Sequence, residues 1–374
     1  MKHKILIILL SINLQAFSQQ IIFDLPGFSI VQLNSNAQTL GTGGISTVSS
    51  GYYLMTGFFQ NPALLAGREE WIGLTVSYLP YLRNLVPDHS LNDLGLLFSP
   101  DTINSFGYHL FISHSQDLSD GFLTDVYNYF HHFAWSRSLG KHLDLGAGLK
   151  YMVNRRQDAD ISIYDPLIRT FAVDLGMIYR TSFSLPGISL IHLNAGASID
   201  NFGPRVAYLE TTTFSKSFIP TKLGTGLMIA PELYLGNDFS LDIELAGQLD
   251  KFLTPSEPEY ADLSGVRTIV AGMDPDISIF RALYQSFYDS PDGFKGELEE
   301  LIIKYGSEVR LNYREKLSVA IRGGHYFEQV EQLENKYYTY GGGLRFYGYS
   351  LDFVHFGRNN PNSWGISAAY LMRI

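Results

Sequence analysis

The amino-acid sequence predicts an all-β fold, a 14-stranded antiparallel transmembrane β-barrel with an N-terminal hatch and a helical extracellular loop. Three observations carry that expectation. From Trp71 to Ile374 apolar residues recur at every second position in strand-length runs, the signature of a sheet with two unlike faces. The connections between the runs alternate between short and long, as periplasmic turns and extracellular loops do. Composition points the same way: charged residues make up only 17% of the chain, while Tyr (24), Phe (25) and Gly (35) abound. A soluble domain carries about 25% charged residues, whereas a sheet with one face in lipid needs few charges and many interfacial aromatics.

Residues 1–18 read as a secretory signal peptide: Lys2 and Lys4, the apolar run Ile5-Leu-Ile-Ile-Leu-Leu10, and small residues at Ala16 and Ser18 ahead of the expected cut. Ser11 and Asn13 interrupt the run, which argues against a membrane anchor. No later run approaches the roughly 18–20 apolar residues of a membrane-crossing helix. The formal charge is −10, and loss of Lys2 and Lys4 takes it to −12, which disfavours nucleic acid or anionic headgroups as general partners. The chain has no cysteine, which excludes disulfides, thiolate chemistry and cysteine-bound metals.

Residues 19–70 lack sustained alternation. Gly41-Thr-Gly-Gly-Ile-Ser46 and Phe58-Phe-Gln-Asn-Pro-Ala63 give them a small-residue, turn-rich character suited to a hatch inside the barrel. The barrel, 71–374, follows. Its expected strands and lipid faces begin with 71–79 (Ile72, Leu74, Val76), 91–99 (Leu94, Leu96, Phe98) and 103–114 (Phe106, Tyr108, Leu110). Next come 125–138 (Phe133, Trp135), 142–154 (Leu145, Leu149, Tyr151), 168–181 (Phe171, Leu175, Tyr179), 188–200, 220–230 and 238–250. The set closes with 301–313, 317–328, 335–347, 349–357 and 363–374. Every second connection is short: Pro100-Asp101, Gly140-Lys141, Pro186-Gly187, Gly236-Asn237, Arg314-Glu-Lys316 and Gly348. The inward faces carry both signs of charge, among them Asp144, Lys150, Asp174, Arg180, Asp242, Glu244, Glu308, Arg310, Arg322, Arg345 and Asp352. A lumen this wide is more than side chains alone can fill, since about eight strands is that limit. The hatch is the expected filler.

The alternation stops in 250–301, the long extracellular loop. Apolar residues there fall at 279, 280, 283, 284 and 287, then at 294, 298 and 301, both helical spacings. Phe280, Leu283, Tyr284, Phe287, Phe294 and Leu298 are the candidate binding residues, as apolar anchors for a partner. The competing expectation is that this face packs onto the rim and closes the lumen. Glu297, Glu299 and Glu300 read as a solvated face.

Several segments in order resemble the PorV/PorQ family, outer-membrane barrels of the Bacteroidetes type IX secretion system that are themselves similar to the fatty-acid transporters. They are Gly41-Thr-Gly-Gly44 with Asn61-Pro-Ala63, Val76-Ser-Tyr-Leu-Pro80, and Phe218-Ile-Pro-Thr-Lys-Leu-Gly-Thr-Gly226. Asp250-Lys-Phe-Leu-Thr-Pro255, Gln285-Ser-Phe287 with Gly293-Phe-Lys-Gly-Glu-Leu298, and Gly323-Gly-His-Tyr-Phe-Glu328 complete them. Gln60 stands where the family usually has Trp, and the chain ends in Ile374 rather than an aromatic. The resemblance implies a non-enzymatic role without cofactor or metal. It implies capture of the C-terminal signal domain of cargo from the secretion translocon barrel, delivery to a surface attachment complex, and outer-membrane lipid as surroundings. The alternative is passive transport of hydrophobic small molecules across the outer membrane.

Other chemistry has little support. His131 and His132 are adjacent, so on a strand they face opposite ways and cannot chelate together; His109 and His114 also differ in parity. No Gly-x-Ser-x-Gly elbow is present, and Gly41-Thr-Gly-Gly44 lacks the strand and helix that frame a phosphate loop. Asp242 and Glu244 share a face, but ion pairing with Arg310 or Arg345 across the lumen accounts for them without acid–base chemistry.

Overall fold

A computed structural model describes residues 28–48, 57–67, 70–81, 89–117, 124–158, 167–185, 188–210, 213–263, 266–314, 316–330, 333–357 and 364–373. The expected signal peptide, 1–18, and the first residues of the hatch lie outside them.

Fourteen strands close into one barrel. The first seven are β1 (Glu70–Pro80), β2 (Ser90–Phe98), β3 (Asn104–Asp117), β4 (Thr124–Leu139), β5 (Leu143–Asp158), β6 (Leu167–Leu185) and β7 (Ile188–Phe202). A hairpin outside the barrel sheet, β8 (Val206–Glu210) and β9 (Thr213–Ser217), precedes β10 (Lys222–Tyr234) and β11 (Phe239–Phe252). A second such hairpin, β12 (Glu259–Leu263) and β13 (Val266–Ala271), lies in the long loop, where the sequence suggested only turns and helices. The barrel finishes with β14 (Ile302–Tyr313), β15 (Leu317–Val330), β16 (Leu333–Phe346), β17 (Tyr349–Gly357) and β18 (Trp364–Arg373). Each barrel strand pairs antiparallel with its neighbours, and β18 returns to pair with β1. Closure leaves no free edge, the condition for backbone to cross a membrane as strands.

The two faces separate as the alternation requires. In β1, Ile72, Leu74 and Val76 are exposed while Gly73, Thr75 and Ser77 are buried. The outward row of β16 runs from Phe346 at the short-turn end through Leu344 to Tyr340 and Tyr338, all exposed. That row is nine residues long, the length a tilted strand needs to cross the hydrocarbon layer. Aromatic side chains mark both ends of this band, with Phe346, Tyr347 and Tyr349 below and Tyr305, Tyr338 and Tyr340 above. Val153 and Ile191 share the outward parity but are buried. The chain is a transmembrane β-barrel of the outer-membrane type.

Inside the barrel sit residues 28–48 and 57–67, a plug of short turns and helical fragments. α1 (Ala37–Gly41) is capped by Asn36, whose side chain accepts from Thr39 N. The chain then reverses at Gly43 and Gly44, whose φ values of 79° and 80° are open to glycine at no steric cost. Asn61 caps the 3-10 turn Pro62–Leu65 by accepting from Ala63 N, with Pro62 in the position where a missing N–H costs nothing. Its amide nitrogen donates to Thr47 O at 2.8 Å and to Met177 O at 3.3 Å, which ties two plug segments to the wall. These contacts give the Asn-Pro-Ala sequence a physical reason. Gln60, buried beside it, accepts from Ser46 Oγ.

The wall is cut to fit this plug. A Cβ at Gly146, Gly176, Gly196, Gly306 or Gly324 would overlap plug atoms of Pro62–Ala63, Asn61, Thr47, Thr42 and Gly43 respectively. Polar anchors finish the seat: Ser46 N and Thr47 N donate to Gln248 Oε1 at 2.8 and 2.9 Å, and Ala37 N donates to Ser367 Oγ at 2.7 Å. Apolar packing fills the long-loop half of the lumen, where Phe28, Leu40 and Phe59 of the plug meet Leu91, Phe111, Phe130 and Phe356 of the wall.

Candidate functional site: the rim excursion

The longest excursion leaves β11 after Phe252 and returns at Ile302, on the end of the barrel opposite the short turns. After the β12–β13 hairpin come α2 (Ile279–Gln285) and α3 (Gly293–Glu299). Ser278 caps α2, its hydroxyl accepting from Arg281 N at 3.2 Å.

Both helices turn their small and polar sides inward. In and beside α2 the buried residues are Ile277, Ala282, Gln285 and Ser286; in α3 they are Gly296 and Glu297. Gln285 Nε2 donates to Asp274 O at 3.0 Å, and Arg205 reaches Asp276 at 2.5 Å, so polar bonds hold α2 to its surroundings. Lys251, at the top of β11, holds α3: its Nζ lies 2.8 Å from Glu297 and 2.6 Å from Glu300. The solvated face expected of Glu297, Glu299 and Glu300 is therefore corrected. Glu297 is buried against Lys251, and Glu299 pairs with Lys295 one turn back at 3.1 Å. A buried lysine at the end of β11 faces α3, and sequence spacing alone could not reveal that encounter. Asp289 is buried between the helices with Ser256 Oγ 3.1 Å away; burial pushes its carboxyl up, against the Ser256 hydrogen bonds that favour its charge.

The apolar residues are left outside. Phe280 is 68% exposed, Tyr284 56%, Phe287 48%, Phe294 79% and Leu298 51%, while Leu283 is half-buried. Phe280 also touches Phe202 edge-on, with ring centroids 5.5 Å apart. Of the two expectations for this face, packing onto the rim does not describe it. Amphipathic helices ordinarily bury the apolar side. Here that side is presented, together with Tyr288.

The lumen holds a second constellation that strand parity could not foresee. His131 and His132 do face opposite ways: His131 bonds the Tyr108 hydroxyl at 2.8 Å, and His132 lies inside, 3.0 Å from Asp174. Register, however, sets His132 directly across from His109, also inside. Phe58 and Phe59 of the plug stack on these two rings at centroid distances of 5.8 and 5.1 Å. Ion pairs continue around the wall: Lys150–Asp174 at 3.0 Å, Lys304–Asp250 at 2.7 Å, Arg322–Asp352 at 2.6 Å and Arg310–Asp242 at 3.5 Å. Glu308 joins Arg310 to Arg322. Paired in this way, the charges brace a polar interior whose members would be costly to leave alone. Among the described residues no group of three or more His, Asp or Glu side chains is placed to hold a metal ion.

No protein-family model and no curated protein matches the chain. Solved structures similar to it include the toluene transporter TodX of P. putida, at 10% identity and a TM-score of 0.45, covering 94% of this chain and 100% of that one. A Pseudomonas aeruginosa FadL homologue is similar at 10% identity and a TM-score of 0.43, with 90% and 98% covered. CdiB from Acinetobacter baumannii is similar at 11% identity and a TM-score of 0.43; 82% of this chain is covered, and the match spans 60% of CdiB's length.

Proposed function

We propose that this barrel is an outer-membrane component of the type IX secretion system, one that receives the C-terminal signal domain of cargo on its rim excursion. It passes that cargo from the translocon barrel to a surface attachment complex, without catalysing a reaction. The supporting observation is the inverted amphipathicity of α2 and α3, whose aromatic side chains stand in solvent while their polar sides are bonded to the rim. Large aromatic side chains grouped in this manner are the anchors that dominate protein interfaces.

The test is capture of a purified C-terminal signal domain by the full-length barrel in detergent. Replacing Phe287 and Phe294 together by Ser removes two anchors, and loss of hot-spot aromatics weakens binding by about 2 kcal/mol or more each. Retained capture by a double variant that still runs as a folded barrel on an unheated gel would refute the reading.

The second reading, passive carriage of hydrophobic small molecules, draws on the apolar cluster that Phe111, Phe130 and Phe356 form with Phe28, Leu40 and Phe59 of the plug. Uptake of a labelled hydrocarbon into proteoliposomes, abolished by Phe130→Asp, would favour it over secretion.

A further inference from the structure

On the lipid face, the wall across β11, β14, β15 and β16 carries a notch of about 570 Å³. Its floor is formed where Ser307 and Gly323 pair directly across two strands, both with outward parity. Leu245, Tyr305, Tyr338 and Tyr340, all exposed, make its sides. Between these larger side chains, the two adjacent small residues leave a trough open to the hydrocarbon layer.

At the upper end of the trough stands His325, two residues along β15 from Gly323 and so on the same face. It is 8% exposed, held between the rings of Tyr305 and Tyr338 at centroid distances of 4.9 and 4.5 Å. Its Nδ1 has no hydrogen-bond partner among the described residues. An imidazole at the lipid surface is costly unless something polar meets it. One pleat beyond Tyr338, with the same outward parity on β16, comes the exposed Lys336. The nine-residue apolar row of β16 ends at Tyr338, so Lys336 stands at headgroup height.

From this arrangement we infer that the notch binds one acyl chain of a phosphate-bearing membrane lipid. The chain lies over Ser307 and Gly323, its polar linkage meets His325, and its phosphate is drawn to Lys336. Location decides the occupant, because the trough opens into hydrocarbon, where a lipid brings an apolar chain and a polar head together. The site is independent of the rim excursion and of the function proposed for it.

Native mass spectrometry of the full chain, released from detergent and titrated with dioleoyl phosphatidylglycerol or dioleoyl phosphatidylcholine, tests the inference. The expected result is a single tightly held phosphatidylglycerol, favoured over phosphatidylcholine. Lys336→Gln should shrink that preference by about fivefold, the contribution of one basic residue at an anionic surface. Gly323→Leu should remove the adduct; a Cβ there meets only Thr339 O, 3.9 Å away, so the wall tolerates it. Ser307→Leu, from the opposite strand, serves the same purpose if Gly323→Leu does not fold. Equal retention of phosphatidylglycerol by the wild type and the filled-notch variant would overturn the inference, as would equal binding of the two lipids. So would a photo-crosslinker at Ile321 that captured one discrete protein in whole cells, since the notch would then be a protein interface.

Discussion

Lys251 shows how one side chain decides the posture of an element far along the chain. It closes β11, yet its ammonium lies between Glu297 and Glu300 and seats α3 on the rim. Removing one member of a buried pair leaves the other unpaired and costs about 3–5 kcal/mol. Lys251→Met should therefore loosen α3 without opening the barrel. Limited proteolysis checks this: cleavage within 289–301 should accelerate while the barrel band survives. Asp289 supplies a pH dependence at the same place. Because burial raises its folded-state affinity for a proton, the excursion gains stability as the pH falls, fully present below the ordinary carboxylate range and lost as the pH rises through the raised value. Protease resistance of the excursion should follow that sign, and Asp289→Asn should flatten the dependence.

At the scale of elements, the barrel strands were legible from sequence because a period of two labels both faces of a strand at once. The observed span of β17, Tyr349–Gly357, coincides with the run predicted from alternation, and β15 begins at the expected Leu317. What the alternation could not carry is partnership. The cross-strand meeting of His109 with His132 depends on register between strands, and the β8–β9 and β12–β13 hairpins are too short to stand out inside loops. Helical spacing likewise identified which residues of the excursion share a face. It left open whether that face looks in or out, because Lys251, Glu297 and Gln285 fix the orientation through contacts distant in sequence. The plug makes a separate prediction. Gly146→Val places a side chain where Pro62 and Ala63 lie, and overpacking of that kind costs about 1–3 kcal/mol. The plug should shift while the strands stay closed, read as increased sensitivity of cells to large hydrophilic antibiotics with an unchanged folded band.

For the molecule as a whole, the outward band, the polar lumen and the ring of strands form one mechanical unit. Extraction should need detergent, and the extracted chain should migrate faster before boiling than after, as closed barrels do; a chain soluble without detergent would contradict the fold. The glycines that seat the plug also say something about manufacture. Gly146, Gly176, Gly196, Gly306 and Gly324 come from five different strands, the first and last of them far apart in the chain. A slip of one residue in any pairing would swing that strand's glycine to the outside and offer the plug a side chain instead. The socket thus exists only once the staves are in order, which makes the plug an inspector of its own container: a misassembled ring is left uncorked.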